Sequence, residues 1–179
     1  TVWLRPQEIH LGKGVAASGP LATRLGLSGV PVAAETIALH TIIELVRSTG
    51  ARVHLCRISS AAGLALVAAA KAQGLPVTCD VSINSLHLTD VDIGYFDSRA
   101  RLDPPLRQQR DRDALRQGLA DGTVDALVSD HTPVAEDAKT LPFAGQDLQI
   151  LLPPAGRWRL VVDSTQAWRP TLTLQAVAP

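Results

Sequence analysis

The chain has 179 residues, with 17 basic and 17 acidic side chains that balance to zero net charge and 46% hydrophobic residues. The length suits one ordinary domain or part of a larger one, and the charge balance argues against a general nucleic-acid binder or a protein drawn to anionic lipid. The charged and apolar fractions are too ordinary for disorder, and no charge-free apolar run approaches the roughly 20 residues that cross a bilayer.

Thr1 to Leu4 is compatible with a strand, and Ala34 to Thr49 reads as a helix closed by Gly50. Arg52 to Ile58, a short β-branched run, predicts a strand. Ser59 and Ser60 then offer an N-cap to an Ala- and Leu-rich helix over Ala61 to Gln73, with Gly74 just past its end. Pro76 to Ser82 reads as a second strand, and Leu86 to Asp97 as a loop with a short turn. Arg99 to Leu102 predicts a third, short strand before Pro104 and Pro105. Leu106 to Asp121 has the pattern of an amphipathic helix closed by Gly122, and Thr123 to Val128 that of a fourth strand.

These strands begin near residues 53, 77, 100 and 124. Repeats of roughly two dozen residues, with helices between, are the rhythm of βα units in a parallel sheet. Four or five units predict an open α/β sheet or half of a (β/α)8 barrel, because a complete barrel needs about 250 residues. No Gly-x-Gly-x-x-Gly follows a strand and no Walker loop appears, which argues against a nucleotide-binding sheet. From Gln146 onward the composition changes: Pro153, Pro154 and Gly156 precede the weakly alternating segments around Trp158 and Thr171. A barrel-like region over 1–145 and a divergent tail over 146–179 are therefore expected. The tail reads either as a small β-like appendage or as sequence that no longer encodes the parent fold.

Cys56 and Cys79 make no disulfide framework, so a reducing cytosol is the expected setting. The chain holds no methionine and opens on Thr1-Val2-Trp3-Leu4 with no signal peptide, which predicts a fragment whose N-terminus lies upstream.

In a parallel barrel, chemistry sits at the C-terminal ends of strands. Asp130 beside His131 is the leading candidate there, as metal ligand or general base; the competing reading is an aspartate capping a turn with a histidine packed near it. Arg5 and Arg57 are strand-end cations that would bind an anion or pair with Asp130 or Asp103. The two thiols read as inert, and His54 as a packed core or interface histidine. His10, His40 and His87 receive no role, and the charged helix around Arg110 reads as a solvated face.

Taken together, the segments from Gly26 to Glu35, Val53 to Ser82, Leu86 to Asp90 and Asp103 to Val134 resemble the second half of a dihydroorotase. The resemblance runs from about Val2 to Phe143. It implies a (β/α)8 metal-dependent amidohydrolase that opens or closes the cyclic amide of dihydroorotate in pyrimidine synthesis, using one or two zinc ions. The family's His-x-His pair after the first strand has no counterpart here. Its His-x-Glu-Asp phrase corresponds to Arg5-Pro6-Gln7-Glu8, and its His-x-x-His-x-Ser phrase to His54-Leu55-Cys56-Arg57-Ile58-Ser59, so arginine stands at two ligand positions. Asp130 keeps the place of the aspartate that serves as ligand and base, a vestigial base here, while Val134 replaces a substrate-contacting histidine and Asp103 a substrate-contacting asparagine. The family's Pro-His-His phrase reads Ile83-Asn84-Ser85.

A guanidinium has no lone pair to donate and stays protonated, so it does not replace an imidazole on zinc. At ~5 Å and an effective dielectric of ~20, each such cation repels a divalent ion by several kcal/mol. The resemblance therefore points to the non-catalytic, dihydroorotase-like chains that accompany aspartate carbamoyltransferase: no bound cofactor, the transferase catalytic chain as partner, no nucleic acid or membrane, and an oligomeric cytoplasmic assembly. The alternatives are an active zinc-dependent dihydroorotase completed by a missing half, and a non-functional gene fragment. A half barrel also leaves strand edges unpaired, so the isolated chain is expected to aggregate or to fold with partner chains.

Overall fold

The computed structural model describes residues 1–131 in full and, beyond them, the backbone of two strands. The chain divides into two compact units, Thr1–Pro133 and Val134–Pro179. The sequence sets its change of character a dozen residues later, near Gln146.

Four strands build the sheet of the first unit: β1 (Val2–Leu4), β4 (Val53–Leu55), β5 (Val77–Ser82) and β6 (Ala126–Val128). They lie side by side in that order and every pairing is parallel. Between them come the short parallel pair β2 (Ala16–Ala17) and β3 (Gly29–Val30), and the helices α1 (Pro20–Leu25), α2 (Ala33–Thr49), α3 (Ala61–Ala72), α4 (Ile83–His87) and α5 (Gln109–Ala120). In the second unit β7 (Arg157–Asp163) pairs antiparallel with β8 (Thr171–Val177). The β-like reading of the tail corresponds to this hairpin; the rest of 146–179 lies outside the described residues.

Register explains the two faces of the parallel sheet. Leu4, Leu55 and Cys79 are partners across three strands, and Val53 pairs with Val77. Side chains alternate along a strand, so these residues share one face with Val81. That face is covered by helices: Leu39, Ile43 and Val46 of α2, Leu64, Val67 and Ala70 of α3, and Leu115 of α5 join it in one core. Trp3, His54 and Thr78 are partners on the opposite face, with Asp80 and Ser82 further along β5. A one-sided cover of helices over a parallel sheet is the layering of a barrel wall, whose other face looks into the barrel. β1 and β6 each have a single strand neighbour in this sheet. Trp3 is 67% exposed on the first and Leu127 47% on the second.

The helices follow their local signals. α2 ends where Gly50 takes a left-handed conformation, φ 67°, and its N–H reaches the Val46 carbonyl. α3 starts at Ser60, whose Oγ accepts from Gly63 N at 2.9 Å, and Gly74 follows it at φ 74°. α5 crosses close to α3 because Gly118 has no side chain: a Cβ there would stand 2.5 Å from Leu64 Cδ2.

The start of α3 holds the first unit together. Glu35 of α2 is 4% exposed. Its carboxylate accepts from Ser59 N (2.8 Å), Ser59 Oγ (2.5 Å), Ser60 N (3.1 Å) and Ser60 Oγ (2.6 Å). Buried Asp111 of α5 accepts from Ala61 N at 3.0 Å. The amides of Ser59 and Ser60, just ahead of α3, and of Ala61, its first residue, have no partner inside the helix and are thus met by carboxylates from both neighbouring helices, where the helix dipole favours negative charge. Gly63 leaves room for this, since a Cβ at that position would run into Glu35 Oε1. Gly63→Ala is therefore expected to destabilise the chain by about 2 kcal/mol, read as a lower urea midpoint. Glycine to alanine at an open helical site would instead stabilise by up to ~1 kcal/mol, so the sign of the shift decides.

One predicted strand is not observed. Residues 99–102 hold no strand; Ser98–Ala100 is a turn of 3-10 helix, started by Asp97 Oδ1 accepting from Arg99 N at 3.0 Å. The aspartate's local hydrogen bond outcompetes extension, and Pro104 and Pro105, without N–H groups, do not carry a strand ladder past it. The stretch from β5 to β6 is consequently one long connection, and α5 begins at Gln109 rather than Leu106.

Candidate functional site

Arg5, Arg57 and Asp130, just past the C-terminal ends of β1, β4 and β6, meet Asp103 from the connection between β5 and β6. Arg5 follows β1 and grips Asp103 through both terminal nitrogens, Nη1 to Oδ2 at 2.6 Å and Nη2 to Oδ1. Arg57 follows β4; its Nη1 donates to Asp130 Oδ1 at 2.9 Å and to the Asp103 carbonyl at 3.2 Å. The expected pairing of these cations with Asp130 and Asp103 is present, with Arg57 as the partner of Asp130 and Arg5 that of Asp103. Asp130 and Arg57 both hold left-handed backbone, at φ 51° and 57°. A non-glycine residue reaches that region only when its surroundings hold it there.

Arg5, Gln7, Glu35, Arg57, Ser59 and Arg107 line one cavity at these strand ends. Arg107 is 7% exposed and donates through Nη1 to the Val30 carbonyl at 2.8 Å and through Nε to Ser59 Oγ at 3.3 Å. Burial pushes its guanidinium below the ordinary arginine range, with Glu35 and Asp111 acting the other way. The cavity thus carries three guanidinium groups against the Glu35 carboxylate.

Among the described residues the lining of this cavity holds no imidazole. The carboxylates of Asp103 and Asp130 are already gripped by arginine. The donor set does not fit zinc, which takes imidazole, thiolate and carboxylate ligands. His131 is exposed. Asn84 and Ser85 lie in α4, where Asn84 N donates to Ser82 Oγ at 3.2 Å. Val134 lies outside the described residues. His10, His40 and His87 are all exposed.

The open face of the sheet holds a second polar group, which the sequence reading passed over. His54 Nε2 meets Asp80 Oδ2 at 2.9 Å, and its Nδ1 meets Thr78 Oγ1 at 2.8 Å. Arg57 N donates to Asp80 Oδ1 at 2.6 Å, and the Trp3 ring lies 4.4 Å from that of His54. Cys56 stands beside them, half-buried. Burial and then Asp80 push the Cys56 thiol up, with Arg57 pulling the other way. Cys79 is fully buried on the helix side, and burial raises its thiol to about 11. Both stay protonated at neutral pH, so neither is a nucleophile. Iodoacetamide at pH 8 is expected to label Cys56 slowly and Cys79 far more slowly still, as mapped by peptide mass spectrometry; equal labelling of the two would contradict the burial of Cys79.

No helix among the described residues is long and apolar enough to cross a membrane. No protein-family model matches the chain. A dihydroorotase-like protein of Pseudomonas aeruginosa is 44% identical over 161 residues, covering 87% of this chain and 38% of that protein. A dihydroorotase of Anaeromyxobacter sp. (strain K) is 43% identical over 140 residues, covering 76% of this chain and 32% of that enzyme. The chain thus spans about a third of the length of these relatives. Among solved structures, the D-hydantoinase (dihydropyrimidinase) from Thermus sp. superposes with a TM-score of 0.58 at 26% identity, covering 67% of this chain and 26% of that one. The dihydropyrimidinase from Brevibacillus agri NCHU1002 superposes over 74% of this chain and 30% of that one, with a TM-score of 0.62 at 22% identity. The resemblance to dihydroorotases is therefore shown, and the parallel sheet with its helices is part of a TIM barrel.

Proposed function

We propose that this stretch of a dihydroorotase-like barrel is catalytically inactive and serves as a structural partner of the aspartate carbamoyltransferase catalytic chain in pyrimidine biosynthesis. The observation that carries this reading is the Arg57–Asp130 pair. In the resemblance Arg57 stands at a ligand histidine and Asp130 at the ligand and base. Here a guanidinium fixes that carboxylate at 2.9 Å, where an active site would need it free to bind metal or take a proton. The Arg5–Asp103 pair does the same to a second ligand position and to a substrate-contact position. Without zinc the water is not activated and the amide carbonyl is not polarised. The barrel wall and its helices persist, and assembly requires surface rather than chemistry.

Co-expression with an aspartate carbamoyltransferase catalytic chain tests the partnership. A complex of both chains in size-exclusion chromatography is expected, and separate elution would refute it. An active dihydroorotase, the reading that the Anaeromyxobacter relative favours, predicts instead zinc-dependent hydrolysis of dihydroorotate.

A further inference from the structure

We propose that His54, Cys56 and Asp80 form a binding site for a zinc-class divalent cation, distinct from the position where the resemblance sets the family's metal. One donor atom from each residue lies within 4.8 Å of the other two. His54 and Cys56 alternate on β4 and its extension, so both side chains leave the strand on the open face, and Asp80 meets them from β5. None of the three is a ligand position in the family phrases.

The His54–Asp80 pair is close to what a small cation requires. Zinc binds nitrogen and oxygen at about 2.0–2.2 Å, and a tetrahedral angle then sets the two donors roughly 3.3 Å apart. His54 Nε2 and Asp80 Oδ2 already stand 2.9 Å apart, sharing one proton. A cation that displaces this proton needs the pair to open by a few tenths of an ångström.

The outer atoms of both ligands are held. Thr78 Oγ1 holds His54 Nδ1, which leaves Nε2 to face the ion, and Arg57 N holds Asp80 Oδ1, which leaves Oδ2. Such second contacts orient metal ligands and fix the imidazole tautomer. His54 is 8% and Asp80 2% exposed, so two donors are desolvated before binding. Half-buried Cys56 supplies the entry side. The neighbouring guanidinium of Arg57 is engaged by Asp130 and by the Asp103 carbonyl.

The donor set selects the ion. Imidazole, thiolate and one carboxylate suit zinc, cobalt(II) or iron(II), whereas magnesium and calcium take oxygen ligands. Three protein ligands leave a fourth position open for water or a small anionic group. The proposal does not rest on the loss of hydrolysis, and each is tested separately.

The full chain is titrated with zinc against a chromophoric chelator, and with cobalt(II) by absorption. One equivalent is expected to bind, with a sulfur-to-cobalt charge-transfer band. Cys56→Ser should abolish that band and weaken zinc at least tenfold, and His54→Asn should weaken zinc similarly. Zinc should also slow iodoacetamide labelling of Cys56 in the unmutated chain, a readout that needs no variant. Absence of zinc binding, a charge-transfer band that survives Cys56→Ser, or labelling of Cys56 unchanged by zinc would each overturn the proposal.

Discussion

Glu35→Ala is expected to lower the unfolding free energy by about 3–5 kcal/mol, enough to remove much of the stability of an ordinary domain. Four donors converge on this carboxylate: the amides and hydroxyls of Ser59 and Ser60. The two hydroxyls can turn elsewhere, but the two amides are fixed by the start of α3. Arg107, also buried, would lose the charge that offsets its own desolvation. Glu35→Gln keeps one acceptor and the side-chain volume but not the charge, so a loss of about 2–3 kcal/mol is expected. Urea unfolding followed by circular dichroism gives both numbers. A loss below ~1 kcal/mol for the alanine variant would show that α3 does not depend on its neighbours for its first amides. The double variant with Arg107→Leu separates the parts, because removing both charges should cost less than the sum of the single losses.

Glu35 drew no reading in the sequence, and the charged helix around Arg110, expected as a solvated face, buries Asp111; both acids nevertheless leave a helical signal. On α2 the buried positions are 34, 35, 39, 43 and 46, and on α5 they are 111, 115 and 118. Each stripe is helical in period and each carries an acid in the first turn, Glu35 on α2 and Asp111 on α5. An acidic side chain in line with an apolar stripe is one that the fold must partner, because an unpaired buried charge is too costly to keep. Other elements followed short-range chemistry in the same way. α3 follows its serine cap and α2 its closing glycine. α1 carries comparable signals, with Pro20 at its first turn and Gly26 at φ 66° after its end.

Position across strands was less legible. Period and composition placed β4, β5 and β6, but a strand predicted at Arg99 to Leu102 proved to be a 3-10 turn, because a rhythm of two dozen residues ignored the capping aspartate before it. For the site, the family phrases singled out Arg5, Arg57, Asp103 and Asp130, and the structure brings all four together. Which arginine meets which carboxylate depends on the parallel register. The His54, Cys56 and Asp80 group shows the limit more sharply. His54 and Asp80 are 26 residues apart, and only the pairing of β4 with β5 makes them neighbours. Read one at a time, the first was a core histidine and the other a strand residue of no note.

The chain supplied with zinc is expected to hydrolyse dihydroorotate no faster than zinc in buffer. Zinc lowers the pKa of bound water from 15.7 to about 7, and each unit corresponds to 1.36 kcal/mol. Losing that ion at the reacting amide therefore costs on the order of 10⁸-fold in hydroxide at neutral pH, before the lost polarisation of the carbonyl is counted. The deficit should persist even when zinc occupies His54, Cys56 and Asp80, because metal held there is not metal held beside Asp130. Arg57→His with Arg5→His, made in a Cys56→Ser background, separates the two positions. It removes both guanidinium charges, frees Asp130 and Asp103, and adds two imidazoles, so zinc is expected to bind at least a hundredfold more tightly than to the Cys56→Ser parent. Zinc-dependent hydrolysis by the unmutated chain would refute the inactive reading. Zinc affinity unchanged by the two histidines would show that the strand ends no longer form a metal-sized site, and that the arginines are not what keeps the ion out.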